Sequence, residues 1–346
     1  MPKRILVLTQ VIDRNDQALG FFHRWAYEFS QNANPLTIIC LWKGDYDLPK
    51  HVKVLSLGKE KKPSKLRYVL LFYKYIWQER NNYDSVFVHM NEEYVLLGSL
   101  LWKILGKKVG MWRNHAGSTF FTKYAVMLSD IVFCTSPKSY TARFKKTLIC
   151  PAGIDTSQYD GESNPKDNSI LFFGRLSPVK NVHVFIQALE SLNNRGVKFV
   201  ADIVGSPVNP EDFEYEKTLH KLGESLVKQG KLKFLPGVKH DETNDLYRDY
   251  SLYVNLTPDG SLDKTMLEAC ASRTPVLLSN SAFRGYIPEM CQLMSLESDS
   301  ASEKMKTLLE LSIKDRIDLG EKLRKYVDDY HGLKALVEML SDKVSN

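Results

Sequence analysis

One pattern constrains this chain more than any other: short apolar runs alternate with longer amphipathic stretches, and the series runs twice. The first series predicts strands at 5–9, 37–41, 52–57, 85–89, 108–112, 131–135 and 147–150. Between them it predicts helices at 19–31, 65–81, 93–105, 121–128 and 138–145. Alternating strands and helices of these lengths imply a parallel sheet covered by helices on both faces.

Residues 151–169, PAGIDTSQYDGESNPKDNS, break the series; the stretch is rich in Gly, Pro, Ser, Asp and Asn and reads as a linker. The pattern then resumes, with strands expected at 170–173, 198–204, 231–235, 252–256, 276–279 and 292–295. Helices are expected at 178–193, 212–229, 241–250, 264–271, 301–312 and 314–330. The expected fold class is α/β: two doubly wound, Rossmann-like domains, 1–150 and 170–330, facing across a cleft. Ligands of such architectures bind beyond the carboxyl ends of the strands. A last amphipathic segment within 331–346 is expected to pack back on the first domain.

Hydrophobic residues make up 43% of the 346 and charged residues 25%, ordinary for a globular chain. Net charge is +6, which suits an anionic small ligand, a membrane surface or nucleic acid and selects none. Nucleic acid is not expected, because the basic residues are scattered and no recognised motif is present. The five cysteines, Cys40, Cys134, Cys150, Cys270 and Cys291, are odd in number and lack CxxC spacing, so they read as buried free thiols of a reducing compartment. The opening MPKRILVLTQ has an apolar run of only 5–8, too short for a signal core or a membrane span. The expected location is cytoplasmic, with peripheral contact at the inner membrane face left open. No Cys/His cluster and no strong Asp-x-Asp pair points to zinc or a catalytic divalent metal, and no cofactor is expected.

Residues 174–181, GRLSPVKN, follow the run Ile170-Leu171-Phe172-Phe173 and precede an amphipathic stretch, 182–192. Ser177 suits an N-cap and Pro178 the first helical position. Lys180 would then lie in the first turn, where the helix dipole disfavours a cation by roughly 0.3–1 kcal/mol. A strand-to-helix turn with free N–H groups is an anion site. A phosphate there turns the repulsion of Lys180 into attraction and lets Arg175 fork onto a second oxygen. The alternative is a surface turn with two solvated cations.

A second constellation, TPDGSLDKTMLEACASRTPVLLSN, occupies 257–280. Lys264 sits at a helix start, and Glu268 follows one turn later among the small residues Ala269, Cys270, Ala271 and Ser272. Glu268 reads either as a carboxylate that accepts from vicinal ribose hydroxyls or as an ordinary early-helix acid.

Together these two segments resemble the second domain of the retaining glycosyltransferases commonly called family 4, which have the GT-B fold. Gly174, Arg175, Leu176 and Lys180 match the family's Gly-Arg-Leu-x-x-x-Lys turn. Glu268, Ala269, Ala271, Pro275 and Val276 match the end of its Glu–seven residues–Glu motif, and PAGIDTSQY resembles its Pro-x-Gly-x-Asp hinge. The resemblance implies that Arg175 and Lys180 hold the diphosphate of a nucleotide-sugar donor, that Glu268 binds its ribose, and that backbone at Gly174, Gly237 and Val238 approaches the nucleotide. It implies a hexosyl transfer with retention, as in polysaccharide biosynthesis, to a glycan, a lipid-linked acceptor or a small molecule. Where the family has its first glutamate this chain has Gly260, and Gly-Ser-x-Asp-Lys replaces the segment that follows, as in some bacterial members. Asp259 or Asp263 would then take the missing carboxylate's place, with Ser261 beside them and Lys264 adding a cation; a degraded site is the alternative.

In the first domain, QVIDRNDQALGFFHRW follows the first strand and offers Asp16, Gly20 and His23 as cleft candidates. His89 and His115 end strand-like runs, with Arg113 beside His115, and the resemblance makes His115 the better match to a histidine that contacts donor sugar or acceptor. The basic, aromatic stretch 59–77 suits anionic lipid or, alternatively, a solvated loop before a core helix. The reading is a nucleotide-sugar-dependent glycosyltransferase. A nucleotide-sugar epimerase of the same fold and a non-catalytic two-domain binding protein are the alternatives.

Overall fold

The computed structural model describes residues 3–16, 19–61, 64–115, 117–161, 165–239, 242–259 and 262–345. The chain divides into two compact units, Met1–Gly153 with Leu333–Asn346, and Ile154–Gly332.

The first unit runs β1 (Lys3–Ile12), α1 (Phe21–Asn32), β2 (Ala33–Lys43), β3 (Val52–Ser56), α2 (Lys65–Gln78), β4 (Ser85–His89), α3 (Glu92–Ile104), β5 (Lys108–Trp112), α4 (Phe120–Leu128), β6 (Ile131–Cys134) and β7 (Thr147–Ile149). Its seven strands are all parallel, in the order β3-β2-β1-β4-β5-β6-β7. Ile5, Leu6, Val7 and Leu8 of β1 are fully buried, as a central strand covered on both faces requires. Phe72 and Ile76 of α2, Val95 and Trp102 of α3, and Ala125 and Val126 of α4 share one core on one side of this sheet. Residues 138–145 form a single 3-10 turn, Tyr140–Arg143, rather than the expected helix. The Ser139 and Thr141 hydroxyls donate to Asn114 Oδ1 at 2.9 Å and to the Arg113 carbonyl at 3.0 Å, so they tie the segment to the end of β5 instead of capping a helix.

The second unit runs β8 (Lys166–Phe173), α5 (Val182–Asn194), β9 (Val200–Val204), α6 (Pro210–Leu222), α7 (Glu224–Lys228), β10 (Leu232–Leu235), α8 (Thr243–Arg248), β11 (Tyr250–Asn255), α9 (Lys264–Ala271), β12 (Val276–Leu278), α10 (Ser298–Leu309) and α11 (Ile313–His331). Its five parallel strands are ordered β10-β9-β8-β11-β12. Helix α12 (Leu333–Ser345) returns to the first unit, where Leu333, Leu336, Val337, Leu340 and Val344 join Trp25 and Phe29 of α1 in the core of the sheet's other face.

Two expectations need correction here. Strand β8 begins at Lys166, inside the stretch read as linker. Its polar residues pair with β11 through a register shift between Tyr250 and Leu252, with Asn168 at φ 52°, because a neighbouring strand's backbone recruits them whatever their side chains. Residues 292–295 form no strand; Gln292 makes one isolated bridge to Leu278. The five cysteines are buried and free. Among the described residues no helix is long and apolar enough to cross a membrane.

Candidate functional site

The strand order of the second unit reverses between β8 and β11, so the segments that follow these strands flank its topological switch point. Those segments are GRLSPVKN and the beginning of 257–280, the two constellations singled out from the sequence. The Lys180 ammonium forms an ion pair with the Asp263 carboxylate and donates to Thr257 Oγ1 at 3.3 Å. Asn181 Nδ2 donates to the Leu256 carbonyl at 2.8 Å. Asn255 Nδ2 donates to Asp263 Oδ2 at 3.3 Å and to Tyr253 Oη at 2.8 Å, so a polar layer joins both loops.

The start of α5 differs from the expectation. Pro178–Lys180 is a 3-10 turn, Asn181 takes the left-handed conformation at φ 52°, and the α-helix opens only at Val182. Lys180 therefore precedes the helix instead of lying in its first turn, and Asp263 balances its charge. The first N–H groups of α5 are also occupied: His183 N donates to Tyr215 Oη at 3.1 Å, and Val184 N to the Asn181 carbonyl at 3.0 Å. The N–H groups of His183 and Val184 are thus engaged within the protein, and the cations of this turn stand on side chains. Ser177 makes no cap bond, and its buried Oγ has no hydrogen-bond partner among the described residues. Arg175 keeps 44% of its side chain exposed, with Nε 3.9 Å from Asp212 Oδ2, so it is the available cation of the pair.

Burial by itself would raise the Asp263 carboxyl; the Lys180 ammonium, with hydrogen bonds from Lys180, Thr265 and Asn255, overcomes this and holds it below its usual range. Asp263 also caps α9 by accepting from Thr265 N at 3.3 Å. Burial brings the Lys264 ammonium down to about 7, against the opposing pull of Glu268 one turn later. Glu268 is 5% exposed and accepts from Tyr247 Oη at 3.0 Å. Burial, then the Glu268 charge, pushes that phenol well above its ordinary range and keeps it a donor. Glu268 is thus paired with protein in this structure. Asp259 faces another way: its carboxylate accepts from Ser281 N at 2.7 Å and Ser281 Oγ at 2.6 Å, holding the turn after β12. Gly260 and Ser261 lie outside the described residues.

Gly205 and Ser206 were not singled out from the sequence. Gly174 has φ 151° and donates its N–H to the Val204 carbonyl at 3.1 Å. A Cβ on Gly205 would lie 1.9 Å from the Gly174 oxygen, so only glycine fits between these strand ends. Leu176 N donates to the Ser206 carbonyl at 3.2 Å and Gly237 N to Ser206 Oγ at 3.3 Å, which links the loops after β8, β9 and β10 and sets Gly237, followed by Val238, beside the Arg175 turn. Their one signal in sequence was the Gly-Ser that ends the run ADIVGS.

The first unit's switch point lies between β1 and β4. His89 there is 1% exposed, stacked on Phe22 at 4.2 Å between ring centroids, with Trp25 at 5.7 Å and Thr9 Oγ1 3.2 Å from Nδ1. Asp16 shapes its own loop, accepting from Leu19 N at 2.7 Å through Oδ1 and from Gly20 N at 2.9 Å through its carbonyl. His23 Nε2 accepts from Asp47 N at 3.0 Å; burial, and secondarily Arg24, lowers its pKa and keeps the ring neutral. Arg113 Nε lies 3.1 Å from the buried Glu92 carboxylate. His115 is exposed in the β5–α4 connection; Gly117 N donates to its Nδ1 at 2.9 Å, and the Gly117 carbonyl lies 3.2 Å from the same nitrogen. Of the first-unit candidates, His115 is the one whose ring stands open.

Comparison with known proteins decides what these loops belong to. The sequence profile of Glycosyl transferases group 1 matches residues 154–326, half of the chain and nearly all of the second unit. The chain belongs to this family. Spore coat protein SA of Bacillus subtilis (strain 168) is 25% identical to this group 1 chain in an alignment 242 positions long that covers 62% of the chain and 63% of that protein's length. Anabaena HepE, solved with UDP and glucose, superposes with a TM-score of 0.76 at 17% identity, covering 99% of this chain and 100% of the other. A glycosyltransferase from Rickettsia africae ESF-5 gives a TM-score of 0.76 at 14% identity, covering 99% and 98%. The fold of this group 1 chain is the GT-B type.

Proposed function

We propose that the protein transfers a sugar from a nucleoside-diphosphate sugar to an acceptor hydroxyl with retention at the anomeric carbon. The observation that supports this most is the convergence, at the second unit's switch point, of Arg175 and Lys180 with Gly174 and the polar layer built on Asp263. As the anomeric C–O bond breaks, negative charge develops on the departing diphosphate. Arg175 and Lys180 meet it where it develops, and a comparable donor contributes about 10²–10³ in rate. The acceptor oxygen forms the new bond to that carbon, and its proton passes to the leaving phosphate. Asp263 keeps Lys180 oriented before the donor arrives and is our choice for the role of the missing family glutamate. Glu268 receives the ribose hydroxyls, which would take over from Tyr247. His115 is our candidate for contact with sugar or acceptor.

HepE has been solved with UDP and with UDP-glucose, so a uridine diphosphate sugar is the first donor to try. We place the enzyme at the cytoplasmic side of the membrane, with 59–77 on anionic lipid and a glycan or lipid-linked acceptor. A thermal-shift series with UDP, UDP-glucose and glucose tests the donor reading. Stabilisation by the diphosphates, weakened in Arg175→Ala, is expected; stabilisation by glucose alone would sink it and favour a sugar-binding protein. Chelating divalent metal is expected to leave turnover unchanged.

A further inference from the structure

Helices α2, α3 and α4 all cover one side of the first sheet, since their inward residues share one core. They also lie side by side: Tyr73 Oη of α2 donates to the Leu97 carbonyl of α3 at 2.8 Å, and Thr119 Oγ1, the cap of α4, donates to Glu92 Oε1 of α3 at 2.6 Å. Their outward residues therefore form one layer, and that layer is rich in large apolar side chains. On α2, Leu66 is 67% exposed, and Leu70, Tyr73 and Trp77 follow it at helical spacing. On α3, Leu100 and Ile104 are exposed, Ile104 to 74%. On α4, Phe120, at 74%, stands beside exposed Phe121, Tyr124 and Met127.

The other face of the same sheet supplies the control. Helices α1 and α12 cover it, and among their described residues the only exposed large hydrophobic side chain is Tyr27. Burying a sheet thus does not require apolar residues on the outside of its helices.

Charge identifies what this layer meets. Lys65, Arg67, Lys74, Lys103 and Lys123 are exposed among the apolar residues, whereas α2 and α4 contain no acid and α3 exposes Glu93 alone. Aromatic and aliphatic side chains interleaved with lysine, on helices lying in one plane, match a surface with apolar depth and negative headgroups. We infer that the three outward helix faces form a monotopic docking surface for an anionic phospholipid bilayer, extending well beyond the 59–77 stretch. The start of α4 lies at the carboxyl ends of the strands, five residues after His115. Resting on the transferase reading, this placement makes the acceptor a lipid-borne alcohol presented at the β5–α4 connection.

Flotation of the full chain with equimolar phosphatidylglycerol–phosphatidylcholine vesicles, against pure phosphatidylcholine, tests the surface. Binding to the anionic vesicles alone is expected, lost in Leu70→Glu/Trp77→Glu/Phe121→Glu with the melting temperature retained. Reversing Lys65, Lys74 and Lys123 to Glu should lower partitioning by at least about fivefold per cation removed. Absence of flotation, equal flotation of the variants, or a dimer in sedimentation that the apolar variant dissolves would overturn the inference. A UDP thermal shift on the same samples separates the two readings. Failed flotation with an intact shift removes the lipid surface only, and flotation without a shift removes the transferase reading and the lipid acceptor with it.

Discussion

The two switch points occupy the same place in two similar sheets and are built from opposite chemistry. In the second unit the loops after β8 and β11 meet through charge: Lys180 on Asp263, with Asn255, Thr257 and Asn181 around them. In the first unit the corresponding place is aromatic, with His89 enclosed by Phe22, Trp25 and Thr9. Topology brings strand ends together in both cases, but the residue types decide whether the place stays charged or becomes core.

The largest expected effect comes from breaking the charged layer. Lys180→Ala should lower turnover by about 10²–10³. It should also cost about 3–5 kcal/mol in denaturant unfolding, because Asp263 stays buried without its cation. Adding Asp263→Asn should restore stability but not transfer; recovery of transfer would mean that Lys180 serves the fold alone. On the aromatic side, His89→Ala should cost roughly 2–4 kcal/mol through lost packing. Calorimetric affinity for UDP should be unchanged, and a large loss of affinity would place His89 in the site after all.

A third prediction concerns protons. Burial brings Lys264 down to about 7, so at pH 8 it is mostly neutral in the free protein, and a diphosphate nearby favours its charged form. Calorimetry in buffers of different ionisation enthalpy should show proton uptake on UDP binding, absent in Lys264→Met. The sign for stability follows from the same shift. Between about 7 and the ordinary 10.5 the unfolded chain binds more protons, so this group's contribution rises with pH across that window and is smallest below it. The smallest effect is expected for Asp259→Asn: about 1 kcal/mol or less from weakened hydrogen bonds to Ser281, with turnover unchanged.

Much of this was legible before the fold. GRLSPVKN and the Lys264–Glu268 segment were visible because their residues are close in sequence and follow apolar runs that could only be strands. The Lys180–Asp263 pair was not visible, since 83 residues separate its partners and only the sheet order brings them together. The split at Asn181 was hidden too. Ser-Pro reads as an ordinary helix start, and the left-handed turn follows from Asn181 Nδ2 reaching the Leu256 carbonyl on another loop. His23, His89 and Asp16 looked like cleft residues because polar side chains at strand ends usually are; packing spent them on Asp47, an aromatic cage and a local turn.

By itself, the sequence determined that there would be two parallel sheets, which turns would follow their strands, and which cations would stand there, because alternation, apolar runs and turn residues act over a few neighbours. The tertiary structure alone decided which charge balances which, which helix faces stay outside, and which polar residues become core. Those outcomes depend on distances between segments far apart in the chain, and hydrogen bonds, ion pairs and burial act through distance in space.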